Sequence, residues 1–250
     1  MVEQINLTTE LYEKFTAPNE GEIVVKRDYF LKNGLTYNAS ILELFCSQAF
    51  YSVYKSALSS LPSCRVGVVE DENIASFLGV APAQAVLAKI KTPEYAPINS
   101  LDDKIMLLNG VKFAESVGNL VRSAMAMGIS SVVACPKAVS PYEQSAFDLS
   151  SGHVLGCKVH RSHCITDTLS QLSALGYTIV STANTAKAVS LRDFEFPEKC
   201  VLVLGSEHAG IEQTVLEHSH CVIKIDMKNG VNALTTPSAG AIFLNKLGGG

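Results

Sequence analysis

The run Val201-Leu202-Val203-Leu204, closed by Gly205, constrains this chain more than any other stretch. Four consecutive apolar residues suit a strand buried on both faces, the condition of a parallel sheet covered by helices. A short polar turn follows, Ser206-Glu207-His208-Ala209, and then Gly210 and Ile211. Open α/β sheets bind ligands just beyond the C-terminal ends of their strands. A glycine at such a point lets backbone groups come close to a ligand. The stretch predicts the floor of a small-molecule site.

The remaining pattern supplies the surroundings. Apolar runs predict strands at 22–25, 65–69, 85–90, 105–108, 131–134, 154–159, 177–180, 201–204 and 221–225. Amphipathic spacing predicts helices at 7–15 (capped by Thr8 or Thr9), 28 to about 34, 41–61, 71–78 (capped by Asp71), 115–127, 142–149, 165–175 and 238–247. Strands and helices alternating in this way imply a mainly parallel sheet with helices on both faces. The pattern lapses over 93–103, where Pro93, Pro97, Asn99 and Ser100 read as a linker. The expected organisation is a polar N-terminal segment (1–21), a small α/β domain (22–92), the linker (93–103) and a larger α/β domain (104–250).

Composition narrows the function classes. Apolar residues make up 47% and charged residues 18% of the 250, as in a well-buried globular protein. No uninterrupted apolar run is long enough to span a bilayer, and the polar start at Met1-Val2-Glu3-Gln4 does not resemble a signal peptide. The seven cysteines are scattered without a C-x-x-C pair, which fits free thiols in a reducing cytoplasm. A formal charge of −4 argues against binding nucleic acid through bulk positive charge, though not against a local basic rim.

Several chemistries lack their spacing. His153, Cys157, His160, His163 and Cys164 are metal-ligand types at close range, but they match no usual zinc pattern, so no metal is expected. Ser206-Glu207-His208 lacks the G-x-S-x-G elbow of a hydrolase. The loop 205–210 lacks the Lys-Ser/Thr of a P-loop, and no G-x-G-x-x-G opens a helix after a strand.

Three segments together carry more. Glu115-Ser116-Val117-Gly118-Asn119-Leu120-Val121-Arg122 puts a glycine in a first helical turn, costly unless something packs closely there, with an arginine one turn on. Helix starts attract anions, and arginine forks onto phosphate. The second segment is 201–211. The third is Ile225-Asp226-Met227-Lys228-Asn229-Gly230-Val231-Asn232-Ala233-Leu234-Thr235-Thr236-Pro237. In this order and spacing they resemble the three motifs of SpoU-type (TrmH-like) RNA ribose 2′-O-methyltransferases of the SPOUT class. Gly118 and Arg122 match the first motif, Gly205, Glu207 and Gly210 the second, and Ile225, Met227, Gly230, Val231 and Leu234 the third.

The resemblance implies a fold, a cofactor and partners. The fold would be a parallel-sheet SPOUT domain whose C-terminal part forms a trefoil knot, preceded by a small α/β RNA-recognition domain. S-adenosylmethionine would lie against the loops carrying Gly205, Gly210, Ile225, Met227 and Leu234. The substrate would be structured RNA, tRNA or rRNA, contacted through Ser116, Gly118, Asn119 and Thr235. Arg122, helped by an RNA phosphate, would handle the ribose hydroxyl, with Glu207 positioning Arg122 or nearby loop groups. The unit would be a homodimer with its active site completed near the interface. The family's usual side chains are replaced at Ser116, Asp148, Asp226, Ala233 and Thr235, and its histidine-arginine-glycine turn reads Ala83-Gln84-Ala85. These departures leave open a second reading, a catalytically lapsed member that binds RNA or a partner protein as a dimer.

Overall fold

The computed structural model describes residues 2–61 and 64–250. The chain divides into two compact units, Met1–Pro93 and Glu94–Gly250.

The first unit runs β1 (Val2–Ile5), α1 (Thr9–Thr16), β2 (Glu22–Val25), α2 (Asp28–Thr36), β3 (Ile41–Ser47), α3 (Gln48–Ser59), β4 (Arg65–Val69), α4 (Asp71–Leu78) and β5 (Val86–Lys91). Its sheet has the order β1-β4-β3-β5-β2, with β1, β4 and β3 parallel and β5 antiparallel to both its neighbours. Val2–Ile5, in the segment expected to precede any domain, pairs with Val66–Val69 as an edge strand.

Three other expectations are corrected in this unit. The apolar stretch 41–61 is a strand passing directly into a helix, not one helix. Ser47 makes the switch: its hydroxyl accepts a hydrogen bond from Phe50 N–H at 2.8 Å and caps α3. Asp71 does not cap its own helix. Its carboxylate accepts from Ala49 N–H at 3.1 Å, at the start of α3 instead. Helix α2 runs through Asn33-Gly34 to Thr36, with Gly34 buried inside it, so the expected stop at Asn33-Gly34 is not used.

The second unit runs β6 (Lys104–Asn109), α5 (Ala114–Ala126), β7 (Ser131–Ala134), α6 (Gln144–Leu149), β8 (Lys158–Arg161), α7 (Ile165–Ala174), β9 (Thr178–Thr182), β10 (Val189–Ser190), β11 (Cys200–Gly205), α8 (Gln213–Glu217), β12 (Cys221–Lys224) and α9 (Thr236–Gly248). All strand pairs are parallel, in the order β10-β12-β9-β11-β6-β7-β8. Residues 154–156, expected to be extended, lie in a turn of 3₁₀ helix, His153–Gly156, before β8.

Both faces of the central strands are covered. Ile105, Leu107, Val201 and Val203 share one core cluster with Leu169 and Leu172 of α7 and Val215 of α8. On the other face α9 packs on α5 and β11. Gly240 makes that approach possible, since a Cβ there would stand 2.2 Å from Leu120 Cδ2 and 3.2 Å from Leu204 Cδ1. Strand residues alternate between the faces with a period of two, so a run such as Val201–Leu204 must be apolar throughout.

The strand order reverses between β6 and β11. From β6 the chain moves outward through β7 and β8, and then returns to fill the other side. Loops after strands on opposite sides of such a reversal diverge and leave a crevice.

Candidate active site

The loop after β11 is built on a close backbone crossing. Ser206 N–H donates to Gly210 C=O at 2.9 Å, and Gly210 N–H to Ser206 C=O at 3.1 Å. Gly210 adopts φ +67°, a left-handed conformation that favours glycine. Gly205 sits beneath it, and a Cβ there would lie 2.4 Å from Gly210 C and 2.7 Å from Ile211 N. The two glycines therefore fold 205–210 into a compact knuckle. The side chain excluded at Gly205 would strike backbone, not the ligand space as such.

This knuckle forms one wall of a cavity of about 380 Å³, of the size that holds a cofactor. A second wall is Thr182–Thr185, following β9, and a third comes from Lys224, Ile225, Met227 and 232–234, following β12. Thr236, Ala239 and Phe243 of α9 close it. Thr236 Oγ1 donates to Gly205 C=O at 3.4 Å, tying the third segment to the second. Asn184 Nδ2 donates to Asn232 C=O at 3.4 Å, tying the β9 loop to the third.

Glu207 supplies the decisive electrostatic feature. It lines the cavity, and its Oε1 is buried without a hydrogen-bond partner. A buried carboxylate oxygen left unmatched costs about 1–3 kcal/mol or more, so it is a strong acceptor awaiting a donor. Beside it, a different acid is fully matched. Glu212 Oε1 accepts from Asn109 Nδ2 at 3.1 Å, Glu212 N–H donates back to Asn109 Oδ1 at 2.8 Å, and Lys137 binds Glu212 Oε2 at 2.7 Å. The Lys137 hydrogen bond, and then that of Asn109, hold this carboxyl below its usual range against the opposing effect of burial. The bonds fix the end of β6 and the loop after β7 to the start of α8.

The cavity collects Gly205, Glu207, Gly210, Ile225, Met227 and Leu234. It does not collect the first segment. Gly118 is where α5 packs on α6, since a Cβ there would stand 2.6 Å from Ala146 C=O and 2.7 Å from Leu149 Cβ. Ser116 is buried, while Asn119 is exposed and donates to Glu115 C=O within its own helix at 2.8 Å. Arg122 is exposed on α5 and stands near His153, whose imidazole pKa is lowered by burial first and by the Arg122 charge second. No hydrogen bond or ion pair joins Arg122 to Glu207 among the described residues. Thr235 caps α9, its hydroxyl accepting from Ser238 N–H at 3.4 Å.

Thr182, Asn184, Thr185 and Lys224 line the cavity without having been singled out in the sequence. Their one sequence signal is position, since each follows or ends a strand at the C-terminal edge of the sheet. Among the described residues no group of three or more His, Cys, Asp and Glu side chains could hold a metal ion. His160 Nδ1 instead pairs with Ala96 C=O at 2.9 Å.

Residues 103–245 match the SpoU rRNA Methylase family. The chain belongs to that family. Members are RNA methyltransferases, and the match spans the whole of the parallel sheet and the cavity. A relative from Staphylococcus haemolyticus, described as a putative TrmH family tRNA/rRNA methyltransferase, is 28% identical over 176 residues, covering 67% of this chain and 70% of the relative. Two solved structures share the SpoU fold. The AdoMet-bound rRNA methyltransferase of Sinorhizobium meliloti has a TM-score of 0.82 at 17% identity, covering 98% of this chain and 97% of that one. An RNA 2′-O ribose methyltransferase has a TM-score of 0.74 at 17% identity and covers 97% of each chain. Among the described residues no helix of this SpoU-family chain is long and apolar enough to cross a membrane.

Proposed function

We infer that this protein transfers a methyl group from S-adenosylmethionine to a ribose 2′-hydroxyl of structured RNA, tRNA or rRNA. The observation that carries the reading is the cavity built by two of the three motif loops, with Glu207, whose Oε1 has no hydrogen-bond partner, in its lining. The residues fit the group. Backbone of the 205–210 knuckle and of the 225–234 loop would hold it, with the Glu207 carboxylate accepting a hydrogen bond from one of its donors. When bound, it supplies an electrophilic methyl group. The return of α9 onto α5 and β11, after the chain has passed through β12, fits the C-terminal trefoil knot.

The ribose hydroxyl is a poor nucleophile until its proton is removed or its oxygen is oriented. Arg122 is the residue for this task, acting with an RNA phosphate because guanidinium alone stays charged. Since Arg122 does not line the cavity of its own chain, the reading calls for a homodimer in which one protomer's Arg122 serves its partner's cofactor. The first unit, Met1–Pro93, would contact the RNA outside the active site.

The test is methyl transfer from labelled cofactor to bulk tRNA and rRNA, with digestion to nucleosides to locate a 2′-O-methyl group. Cofactor binding without transfer to any RNA would overturn the enzymatic reading and leave the lapsed, RNA- or protein-binding one. Arg122→Ala is expected to lower transfer by about 10²-fold or more while cofactor affinity, read by calorimetry, stays within about twofold. Equal loss of both would make Arg122 a structural residue. A single monomeric species in sedimentation would remove the shared site.

A further inference from the structure

We propose that Phe113 and His208 form a stacking platform for one unpaired nucleobase of the RNA, at the edge of the methyl-donor cavity. The inference rests on the RNA-methylating reading and adds to it the part of the substrate that is recognised. Phe113 lies between β6 and α5 and is 46% exposed. Its ring meets the imidazole of His208 edge to face, with centroids 5.9 Å apart and planes at 73°. His208 is itself exposed, on the 205–210 knuckle between Glu207 and Ala209, both of which line the cavity.

One exposed apolar side chain is ordinary. Phe113 combines that exposure with a place beside the loop that carries Glu207 and Ala209. It is the residue preceding α5, and it makes no capping hydrogen bond to that helix. Nearly half of the Phe113 surface stays exposed, with the ring packed edge to face on His208.

The surroundings select the ligand. The loops after β6 and β11 are close, since a Cβ built on Gly110 would stand 3.8 Å from Ser206 Cβ. Lys112, exposed, adjoins Phe113, and the largely exposed Lys137 is anchored on Glu212 at the same edge of the sheet. Cations beside a paired aromatic surface suit a flat aromatic group attached to phosphate. Every nucleobase has such a face, and single-stranded RNA is commonly held by stacking of its splayed bases on aromatic side chains. A base inside a duplex is already stacked on both sides and cannot use the platform. Base and ribose are covalently joined, so holding the base places its sugar beside the cavity.

The experiment measures anisotropy of fluorescein-labelled RNA 12-mers, oligo(A) and oligo(U), and of a 12-base-pair RNA duplex, at about 50 mM salt so that phosphate contacts persist. Full-length protein is used throughout. Phe113→Ala and Phe113→Leu are expected to weaken single-strand binding about fivefold or more, and Phe113→Trp to stay within about twofold of the unmutated protein. Duplex binding, cofactor affinity by calorimetry and sedimentation should not change. A 12-mer carrying one 2-aminopurine should lose fluorescence on the unmutated protein and keep it on Phe113→Ala. His208→Ala, on an exposed loop, should give a smaller loss in the same direction and serves if Phe113→Ala does not fold. Single-strand affinity unchanged in Phe113→Ala, or restored by Phe113→Leu, would overturn the platform. A changed oligomeric state would assign the ring to a contact between two copies of the chain and overturn it likewise. If the unmutated protein binds bulk tRNA or rRNA but neither single-stranded 12-mer, the platform alone is overturned; if it holds cofactor but binds none of these RNAs, the RNA reading itself fails, and both results are seen before any substitution is made.

Discussion

The two ends of the second unit's parallel sheet treat polar groups in opposite ways. At the N-terminal ends of the strands a group of polar side chains around Asp102 is matched within the chain. The Asp102 carboxylate accepts from Ser130 Oγ at 2.7 Å and Ser131 Oγ at 2.9 Å and pairs with Lys158. Tyr177 OH donates toward the carbonyls of Leu101 and Asp102 at 3.2 and 3.0 Å. At the C-terminal ends the matching is incomplete. The Asn109–Glu212–Lys137 group is closed, but Glu207, which lines the cavity, keeps a buried oxygen, Oε1, without a partner. The first end spends its polar chemistry on holding strands in register. The second keeps part of it for a ligand, which is where open parallel sheets place their sites.

The comparison is broken most severely at Gly205. Gly205→Val would push its Cβ against Gly210 C at 2.4 Å and Ile211 N at 2.7 Å. Backbone on both sides cannot move aside as a flexible side chain would. Destabilisation at the upper end of about 1–3 kcal/mol or beyond is expected, together with loss of measurable cofactor binding, because the knuckle is a wall of the cavity. Chemical denaturation and calorimetry on the same preparation check both. A stable variant with unchanged cofactor affinity would mean that the knuckle is not part of the site.

Glu207→Ala sharpens it. Removing a half-buried acid with one unmatched buried oxygen should leave the cofactor-free protein equally stable or slightly more so. Cofactor affinity should fall by about 1.5–3 kcal/mol, roughly tenfold or more, the worth of a hydrogen bond to a charged group. The opposite signs matter, since a residue with a purely structural role would lose stability and leave affinity alone. Thermal shift with and without cofactor reads both quantities.

Much of the site could be read before the fold was known. Gly205, Glu207 and Gly210 follow an unbroken apolar strand, and the rule that ligands sit beyond strand C-termini locates them without coordinates. Thr182–Thr185 obeys the same rule but is a plain polar turn, and nothing local shows that β9 is placed next to β11. Gly118 could be read as a position of close approach, but not as an approach by α6, because that contact joins residues from separate parts of the chain. The missed elements fail for related reasons. Apolar spacing over 41–61 cannot separate a helix from a buried strand that enters a helix without a loop, and the Ser47 cap is the one local mark of the change. Val2–Ile5 becomes a strand only through its pairing with β4, more than sixty residues away in the chain.

The N-terminal end of the sheet supplies the opposite control. Asp102→Asn should lower stability by about 1 kcal/mol after allowance for its partial exposure and leave cofactor affinity unchanged. Acid gives the same interaction a smaller and reversible test. Burial tends to raise the Asp102 pKa, but hydrogen bonds from Lys158, Ser130 and Ser131 outweigh it and hold the carboxyl below its usual range. A depressed carboxyl pKa contributes stability that is complete above the unfolded-state value and is lost as pH falls through the folded-state value. The contribution is therefore present at neutral pH and absent in strong acid. Screening of this half-exposed pair with Lys158 keeps it under about 1 kcal/mol. Urea unfolding of the unmutated protein and of Asp102→Asn, compared at about pH 7 and about pH 3, should show the gap between them narrowing in acid. A gap that is constant with pH would mean that Asp102 holds its strands by shape and neutral hydrogen bonding alone, and the contrast between the two ends would then rest on Glu207 and the cavity it faces.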